Sequence, residues 1–178
     1  MSRVPGSDFD AVWINGSVGA GKTTTADRLA HELGTRGVPG AVIDVDELRR
    51  AWPAPAEDRF QDALALSNVA AVAANFRARG ARVIVAAGVI EEVDSLPRWA
   101  SALRAKRMLH VVLAVDPAVA ARRLRERHAG NAAGSAWHLH RHPELAAVLA
   151  RARFDGALVL DTTALSPAEV ACRIADAL

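Results

Sequence analysis

The sequence contains a single cysteine, Cys172, among 178 residues. No disulfide can form within such a chain, which excludes a disulfide-stabilised framework and gives no sign of an oxidising compartment. Cys172 falls in a predicted apolar helix near the end of the sequence. We therefore expect it to be a small buried side chain rather than a reactive thiol.

Long apolar runs are also missing. No run approaches the roughly 18 residues that are needed to span a bilayer, and residues 1–10 lack the apolar centre of a signal peptide. These features predict a cytoplasmic protein without a membrane partner. Hydrophobic residues make up 51% of the chain and charged residues 24%, as in globular proteins. We predict a single domain over residues 1–178, as a monomer or a homodimer.

Neither sign of charge is in large excess. The chain has 22 basic and 20 acidic residues, with a formal net charge of +2. A nucleic-acid-binding protein concentrates its basic residues on one stripe, whereas the arginines here are dispersed, except for one cluster at residues 122–127. We therefore expect no nucleic-acid partner, and a small molecule in its place.

Short apolar runs alternate with longer segments of helical periodicity. The apolar runs predict β-strands at residues 11–15, 41–45, 82–87, 109–115 and 157–161. Helical segments are predicted at residues 22–36, 57–79 (as one long helix or two), 96–104, 117–128, 143–153 and 167–177, with a mobile loop at 129–136. Strands separated by helices form parallel sheets through right-handed crossovers. The sequence thus predicts a three-layer α/β fold, with a five-stranded parallel sheet and helices on both faces.

The first predicted strand leads into the glycine-rich sequence G-S-V-G-A-G-K-T at residues 16–23. This sequence fits the phosphate-binding P-loop pattern G-x-x-x-x-G-K-[ST], and it lies between a strand and a helix as that motif requires. Glycines allow successive backbone N–H groups to point at phosphate oxygens, and the helix N-terminus adds its positive dipole. The alternative is a glycine-rich turn that binds nothing. The sequence has two lysines, Lys22 and Lys106. Because lysine is this rare in the chain, its presence at the motif position is poorly explained by composition alone.

The motif predicts a site for ATP, with GTP as an alternative, and for Mg²⁺. Lys22 is expected to reach the β- and γ-phosphates and to act in catalysis, and Thr23 to give its hydroxyl to Mg²⁺. The predicted nucleotide-binding residues of this segment are Gly16, Ser17, Val18, Gly19, Ala20, Gly21, Lys22, Thr23 and Thr24.

Two aspartates, Asp44 and Asp46, follow the second predicted strand. Residues two apart on an extended chain project the same way, so both carboxylates are expected at the strand ends, where open α/β sheets bind ligands. Asp44 is placed to hold Mg²⁺. Asp46 is placed to contact the substrate and to accept the proton of an attacking hydroxyl. The alternative is that Asp46 caps a short helix.

The arginine cluster places Arg123 and Arg127 on one face of a helix, because they are four residues apart. A kinase closes movable positive charge over the transferring phosphate. We therefore predict a lid at about residues 126–142, with Arg123 and Arg127 binding the nucleotide and Arg127 also catalytic. The alternative is a solvated basic face. The alternating histidines of this segment, His138, His140 and His142, are interpreted as surface residues rather than metal ligands.

The fifth predicted strand ends in Asp161-Thr162-Thr163. A loop at this position is expected to border the adenine, with Thr163 in contact with the nucleotide. A capping turn explains Asp161 equally well.

The acceptor pocket is predicted between the segment 52–60, the helix that carries Asn68, and the loop 88–92. Trp52 and Phe60 are candidates for an apolar wall, and Asn68 for a group that orients the acceptor. Core packing explains each aromatic residue equally well. Because no basic cluster for a second phosphate precedes the lid, a neutral hydroxyl compound is favoured over a nucleotide as the acceptor.

With these residues in view, the chain resembles small P-loop kinases of the nucleoside-monophosphate-kinase-like group. Residues 12–26 and 123–130 are similar to the tunicamycin-resistance ATP-binding proteins. Residues 44–53 and the D-T-T ending at 161–163 are similar to the chloramphenicol phosphotransferases. A weaker likeness to adenylylsulfate kinases lies at residues 57–59. The resemblance implies that Asp46 is the general base, that Arg123 lies over the adenine, and that Arg127 contacts the phosphates.

One departure from many P-loop proteins is that the third predicted strand ends in alanines, without an acidic residue. Either Asp44 replaces that acid as the Mg²⁺ partner, or turnover is slow. The leading hypothesis is an ATP-dependent phosphotransferase that acts on a hydroxyl of a small molecule such as an antibiotic. The alternatives are a nucleoside or nucleotide kinase, and a nucleotide-dependent ligand-binding protein without transfer activity.

Overall fold

A computed structural model describes residues 9–130 and 132–178, with the backbone alone for 132–135. Five parallel strands form one sheet in the order β2-β3-β1-β4-β5. They are β1 (Ala11–Gly16), β2 (Gly40–Asp44), β3 (Val83–Ala87), β4 (Met108–Ala114) and β5 (Leu158–Asp161). The predicted five-stranded parallel sheet is confirmed.

Helices connect the strands and cover the sheet. They are α1 (Lys22–Thr35), α2 (Asp62–Ala78), α3 (Leu96–Ala102), α4 (Pro117–Arg127), α5 (Ala132–Ala152) and α6 (Pro167–Asp176). Short 3-10 helices lie at Glu47–Arg49 and Val93–Ser95. Within the part of the chain that the structure describes, no helix has both the length and the apolar character to cross a bilayer.

The core lies in two layers, one on each face of the sheet, because successive side chains of a strand point to opposite faces. Val12 and Ile14 of β1 pack with α1 and α6 on one face. Ala11 and Trp13 pack with α2 and α3 on the other, where the ring centroids of Trp13 and Trp99 are 4.9 Å apart. The two layers confirm the predicted three-layer α/β architecture.

Three sequence-based expectations are wrong. The helix that was predicted from residue 57 begins at Asp62. Helix α5 begins at Ala132 and runs through Pro143 to Ala152, so most of the predicted loop 129–136 is helical. Glycine and asparagine suggested a loop, but the stretch is also rich in alanine, which favours helix, and α5 buries Leu145 and Leu149 further along. Cys172 is exposed, because α6 turns its other face to the sheet.

Candidate functional site

A cleft of about 1080 Å³ lies at the carboxyl ends of the strands. Its floor is the segment after β1, and its walls come from the segments that follow β2, β3 and β5 and from helices α4 and α5. A parallel α/β sheet binds ligands at this edge. Residues that are distant in sequence therefore meet in one cavity.

The predicted P-loop has the backbone conformation that its glycines make possible. Gly19 and Gly21 have φ angles of +84° and +95°, in a region that residues with a Cβ rarely occupy. A Cβ added at Gly16 would lie 2.9 Å from the carbonyl oxygen of Leu113. No side chain caps the N-terminus of α1 among the described residues, so its first-turn amides are free to bind an anion.

Lys22 lies at the centre of the charged groups. Its ammonium donates to the carbonyl oxygens of Gly16 at 3.0 Å and Ser17 at 3.2 Å. Burial lowers the pKa of Lys22, Asp46 and Asp44 oppose that shift, and Arg127 adds to it. Two carboxylates and one guanidinium from two other segments therefore lie near enough to Lys22 to affect its charge.

Thr23 and Asp44 are in direct contact. The Thr23 hydroxyl donates to Asp44 Oδ2 at 2.8 Å. Asp44 ends β2 and pairs in register with Ala87, the last residue of β3. The carboxylate of β2 thus lies beside the strand end that lacks an acid, and a hydroxyl with a carboxylate is a donor set that suits Mg²⁺.

Asp46 is not a helix cap. It precedes the 3-10 helix Glu47–Arg49, but its side chain accepts no capping hydrogen bond. The carboxylate is 62% exposed and lies 3.5 Å from the Arg49 side chain, and its backbone N–H donates to Asp44 Oδ1 at 3.0 Å. The capping alternative is therefore wrong, and the carboxylate faces the cleft.

Arg123 and Arg127 both line the cleft. Arg123 is fixed by Thr162, since its guanidinium donates to the Thr162 carbonyl at 2.8 Å and contacts the Thr162 hydroxyl at 3.3 Å. Thr163 does not line the cleft: its hydroxyl accepts from the backbone N–H of Asp116 at 2.9 Å. The β5–α6 loop therefore reaches the cleft through Thr162 and Leu165, and not through the predicted Thr163.

Besides Asp46, which lines the cleft, three residues were predicted to contact the acceptor, and one of the three lines it. Phe60 lines it, as do residues 89–92 of the loop after β3. Trp52 is 88% exposed and away from it. Asn68 is used structurally, because its amide donates to the Leu48 carbonyl at 2.7 Å. The assignments of Trp52 and Asn68 to an acceptor pocket, and of Trp52 to the core, are corrected.

The cleft also contains basic residues that sequence reasoning missed. Arg49, Arg98 and Arg141 come from three elements and all line the cleft. Arg141 pairs with Glu91 and lies 5.4 Å from the Phe60 ring centroid. Their wide separation in sequence gave no signal that all three line one cleft.

Helix α5 also reaches the phosphate loop. His142 is buried, and its Nδ1 lies 3.0 Å from Ser17 Oγ and 2.8 Å from the Val18 carbonyl oxygen. It is not the surface residue that the alternation of histidines suggested. Its position among three histidines of one helix gave no signal of this contact. No group of three metal-ligating side chains occurs within residues 9–130 and 132–178.

Asn15 is a second residue that the sequence did not single out. It is fully buried, its side-chain oxygen accepts from the N–H of Gly16 at 2.9 Å and of Ile90 at 3.2 Å, and its amide donates to the Ile90 carbonyl at 2.8 Å. Asn15 thus joins the start of the phosphate loop to the loop after β3. A polar residue that ends a buried apolar strand was the available signal.

A protein-family model described as an AAA domain matches residues 12–152. The tunicamycin resistance protein of Deinococcus radiodurans is 23% identical, with 93% of each chain covered and a TM-score of 0.62. A gluconokinase from Sinorhizobium meliloti 1021 is 19% identical, covering 98% of this chain and 96% of its own, with a TM-score of 0.61. Shikimate kinase from Acinetobacter baumannii is 17% identical, with 95% and 92% covered and a TM-score of 0.60.

No protein of curated function matches the chain in sequence. At these identities the similar structures establish the fold, which is that of the small P-loop kinases.

Proposed function

The chain belongs to the AAA domain family, and from this premise we propose that it is an ATP-dependent phosphotransferase that phosphorylates a hydroxyl group of a small molecule. The observation that carries the proposal is the position of Asp46. Its carboxylate interacts electrostatically with Lys22, caps no helix, and lines the same cleft as the phosphate loop and Phe60. A general base in a kinase needs this position, between the phosphate donor and the acceptor.

The nucleotide side of the cleft supports the choice of ATP. The phosphate loop, residues 16–24, would hold the phosphates through its amides and Lys22. Arg123 would contact the base, with Leu165 and Pro167 as apolar neighbours in the same cleft. Arg127 would contact the phosphates. GTP is the alternative donor.

Thr23 and Asp44 would hold Mg²⁺, through the hydroxyl and the carboxylate that are 2.8 Å apart. When bound, the ion would neutralise charge on the phosphate oxygens. The contact of Asp44 with Thr23, at the strand end beside β3, favours Asp44 as the replacement for the missing acid of β3.

In the proposed reaction, Asp46 accepts the proton of the acceptor hydroxyl. The acceptor oxygen forms a bond to the γ-phosphorus, the bond to the β–γ bridging oxygen breaks, and ADP leaves with that oxygen. Lys22 and Arg127 stabilise the charge that develops. Residues 126–142 act as the lid, since Arg127, Trp137 and Arg141 line the cleft from this segment.

We propose an acceptor with an apolar or aromatic portion, because Phe60 and Trp137 are both about half exposed and both line the cleft. An antibiotic in the cytoplasm is one candidate, given the description of one structural neighbour as a tunicamycin resistance protein. A nucleotide acceptor is the second candidate, and the arginines at positions 49, 98 and 141 favour it.

The acceptor is found by measuring ADP release and the mass of the product over a panel of hydroxyl-bearing antibiotics, sugars, nucleosides and nucleoside monophosphates. A phosphorylated antibiotic or sugar supports the first candidate, and a phosphorylated nucleoside or nucleotide supports the second. Binding of Mg·ATP without transfer to any compound supports a ligand-binding protein.

The Asp46→Asn variant tests the general base with the best acceptor from that panel. We expect the affinity for ATP to stay the same and kcat to fall about 10²- to 10⁴-fold, the usual contribution of a general base. Glu47→Gln is the matched control, because it removes the neighbouring carboxylate, which pairs with Arg50 at 2.7 Å. An unchanged kcat in Asp46→Asn removes Asp46 from the mechanism.

A further inference from the structure

His142 connects helix α5 to the phosphate loop through a single ring nitrogen. The residue is 4% exposed. Its Nδ1 is 2.8 Å from the Val18 carbonyl oxygen and 3.0 Å from Ser17 Oγ. Because a carbonyl oxygen can only accept, Nδ1 carries the proton and donates to Val18.

The other ring nitrogen of His142, Nε2, is also buried and has no hydrogen-bond partner among the described residues. A buried polar atom without a partner costs free energy. Packing alone would therefore favour an apolar side chain at this position. A histidine at this position can donate a hydrogen bond from Nδ1 to Val18, and a leucine cannot.

The hydrogen bond to Val18 has a consequence on the opposite side of the same peptide. A trans peptide is planar, and its C=O and N–H point in opposite directions. Holding the Val18 carbonyl towards α5 therefore fixes the direction of the Gly19 N–H. That amide belongs to the glycine with φ +84°, within the segment that curls around phosphate.

We propose that His142 is a positioning residue for nucleotide binding: it holds the Ser17–Val18 turn in the phosphate-binding conformation and makes that conformation depend on the docking of α5. The inference rests on the proposed function, since it concerns the nucleotide phosphates. The preceding residue, Arg141, pairs with Glu91 on the acceptor side. Successive residues of α5 thus contact the two ends of the cleft, which couples them.

Two variants of His142 separate the hydrogen bond from packing. His142→Leu removes the donor and keeps an apolar filling, whereas His142→Asn places an amide N–H near the position of Nδ1 and has no atom equivalent to Nε2. His140→Leu is the matched control, because His140 is exposed and pairs with Glu144 at 3.2 Å. Binding of a fluorescent ATP analogue with Mg²⁺ is the measurement, and thermal unfolding without nucleotide checks folding.

We expect His142→Leu to weaken binding of the analogue about tenfold, the equivalent of one or two lost hydrogen bonds. His142→Asn should bind within about threefold of the wild type, and His140→Leu should bind as the wild type does. The melting temperature of His142→Leu should not fall below that of the wild type, because the variant lacks the buried Nε2 that has no hydrogen-bond partner among the described residues. His142→Phe makes the same comparison if the leucine variant does not fold.

Equal affinity of His142→Leu and the wild type overturns the inference and leaves the proposed function intact. Equally weak binding by the asparagine and leucine variants overturns it as well, because the donor is then not the cause. A wild-type protein that does not bind the analogue overturns the proposed function, and the inference with it.

Discussion

At the scale of single residues, His110 contacts Asn15, the residue that precedes the phosphate loop. It belongs to β4 and is 8% exposed. Its Nε2 accepts from the Asn15 amide at 3.2 Å. Its ring packs edge-to-face with the Phe154 ring, and the two ring centroids are 4.6 Å apart. Burial lowers the pKa of His110 to about 4. The ring is therefore neutral in the folded protein at neutral pH, which leaves Nε2 free to accept.

This pKa predicts a loss of stability in mild acid. The unfolded chain binds a proton at His110 near its ordinary pKa of about 6.5, whereas the folded chain resists protonation down to about pH 4. Because the unfolded state binds more protons in this window, the free energy of unfolding falls as the pH drops from about 6.5 to 4. We expect His110 to lower the free energy of unfolding by about 2 kcal/mol between pH 7.5 and pH 5. Urea unfolding at both pH values measures it.

The control for this prediction is His110→Leu, which cannot take up the proton. Its free energy of unfolding should change less between the two pH values than that of the wild type, by about the contribution of His110. The same pH dependence in both proteins contradicts the assignment to His110.

Single residues also show what the sequence was able to predict about the site. Lys22, Asp44 and Asp46 line the cleft as predicted, because each lies at the end of a strand or in the segment that follows one, and parallel strands end at one edge. Trp52 and Asn68 do not, because a side chain in a loop or on a helix face points where its tertiary contacts direct it. No local pattern encodes the contact of the Asn68 amide with the Leu48 carbonyl.

At the scale of elements, α4 matters because it carries Arg123 and Arg127, which both line the cleft. Asp116 precedes this helix, and its carboxylate accepts from the N–H groups of Ala118 at 2.8 Å and Val119 at 3.2 Å. Such a cap satisfies amides that the helix itself leaves without partners, and its negative charge suits the positive end of the helix dipole. The start of α4, and with it the register of Arg123 and Arg127, depends on this cap.

Removal of the cap by Asp116→Ala should lower the free energy of unfolding by about 1 kcal/mol. Asp116→Asn should lose less, because asparagine keeps a side-chain oxygen that accepts the same hydrogen bonds. Chemical denaturation of both variants gives the comparison. If the Asp116→Ala and Asp116→Asn variants have the same free energy of unfolding, Asp116 does not stabilise α4 as a cap.

Elements differ in how well the sequence predicted them. The strands were predicted to within one residue or so, because buried parallel strands are short apolar runs between turns. Helix α5 was cut short at its beginning, since glycine and asparagine bias a local prediction towards loop. Its extension to Ala132 brought Trp137 to the cleft as part of a helix, which a loop prediction did not anticipate.

At the scale of the whole molecule, the strand order explains why one cleft collects the site. Strand β1 is central, with β3 on one side and β4 on the other, so the phosphate loop after β1 opens at the middle of the sheet edge. The segments after β2 and β3 reach the cleft from one side of β1, and those after β4 and β5 reach it from the other. The alternation of strands and helices predicted this sheet. The contacts of α5 with Val18 and with Glu91 were found only in the structure.

The most direct test is calorimetric titration of the protein with ATP in the presence of Mg²⁺. The account predicts saturable binding of one nucleotide per chain, weakened at least tenfold in Lys22→Ala, because charge-assisted hydrogen bonds to phosphate are lost. Absence of binding to the wild type, or equal binding to Lys22→Ala, would contradict a phosphate site at residues 16–24.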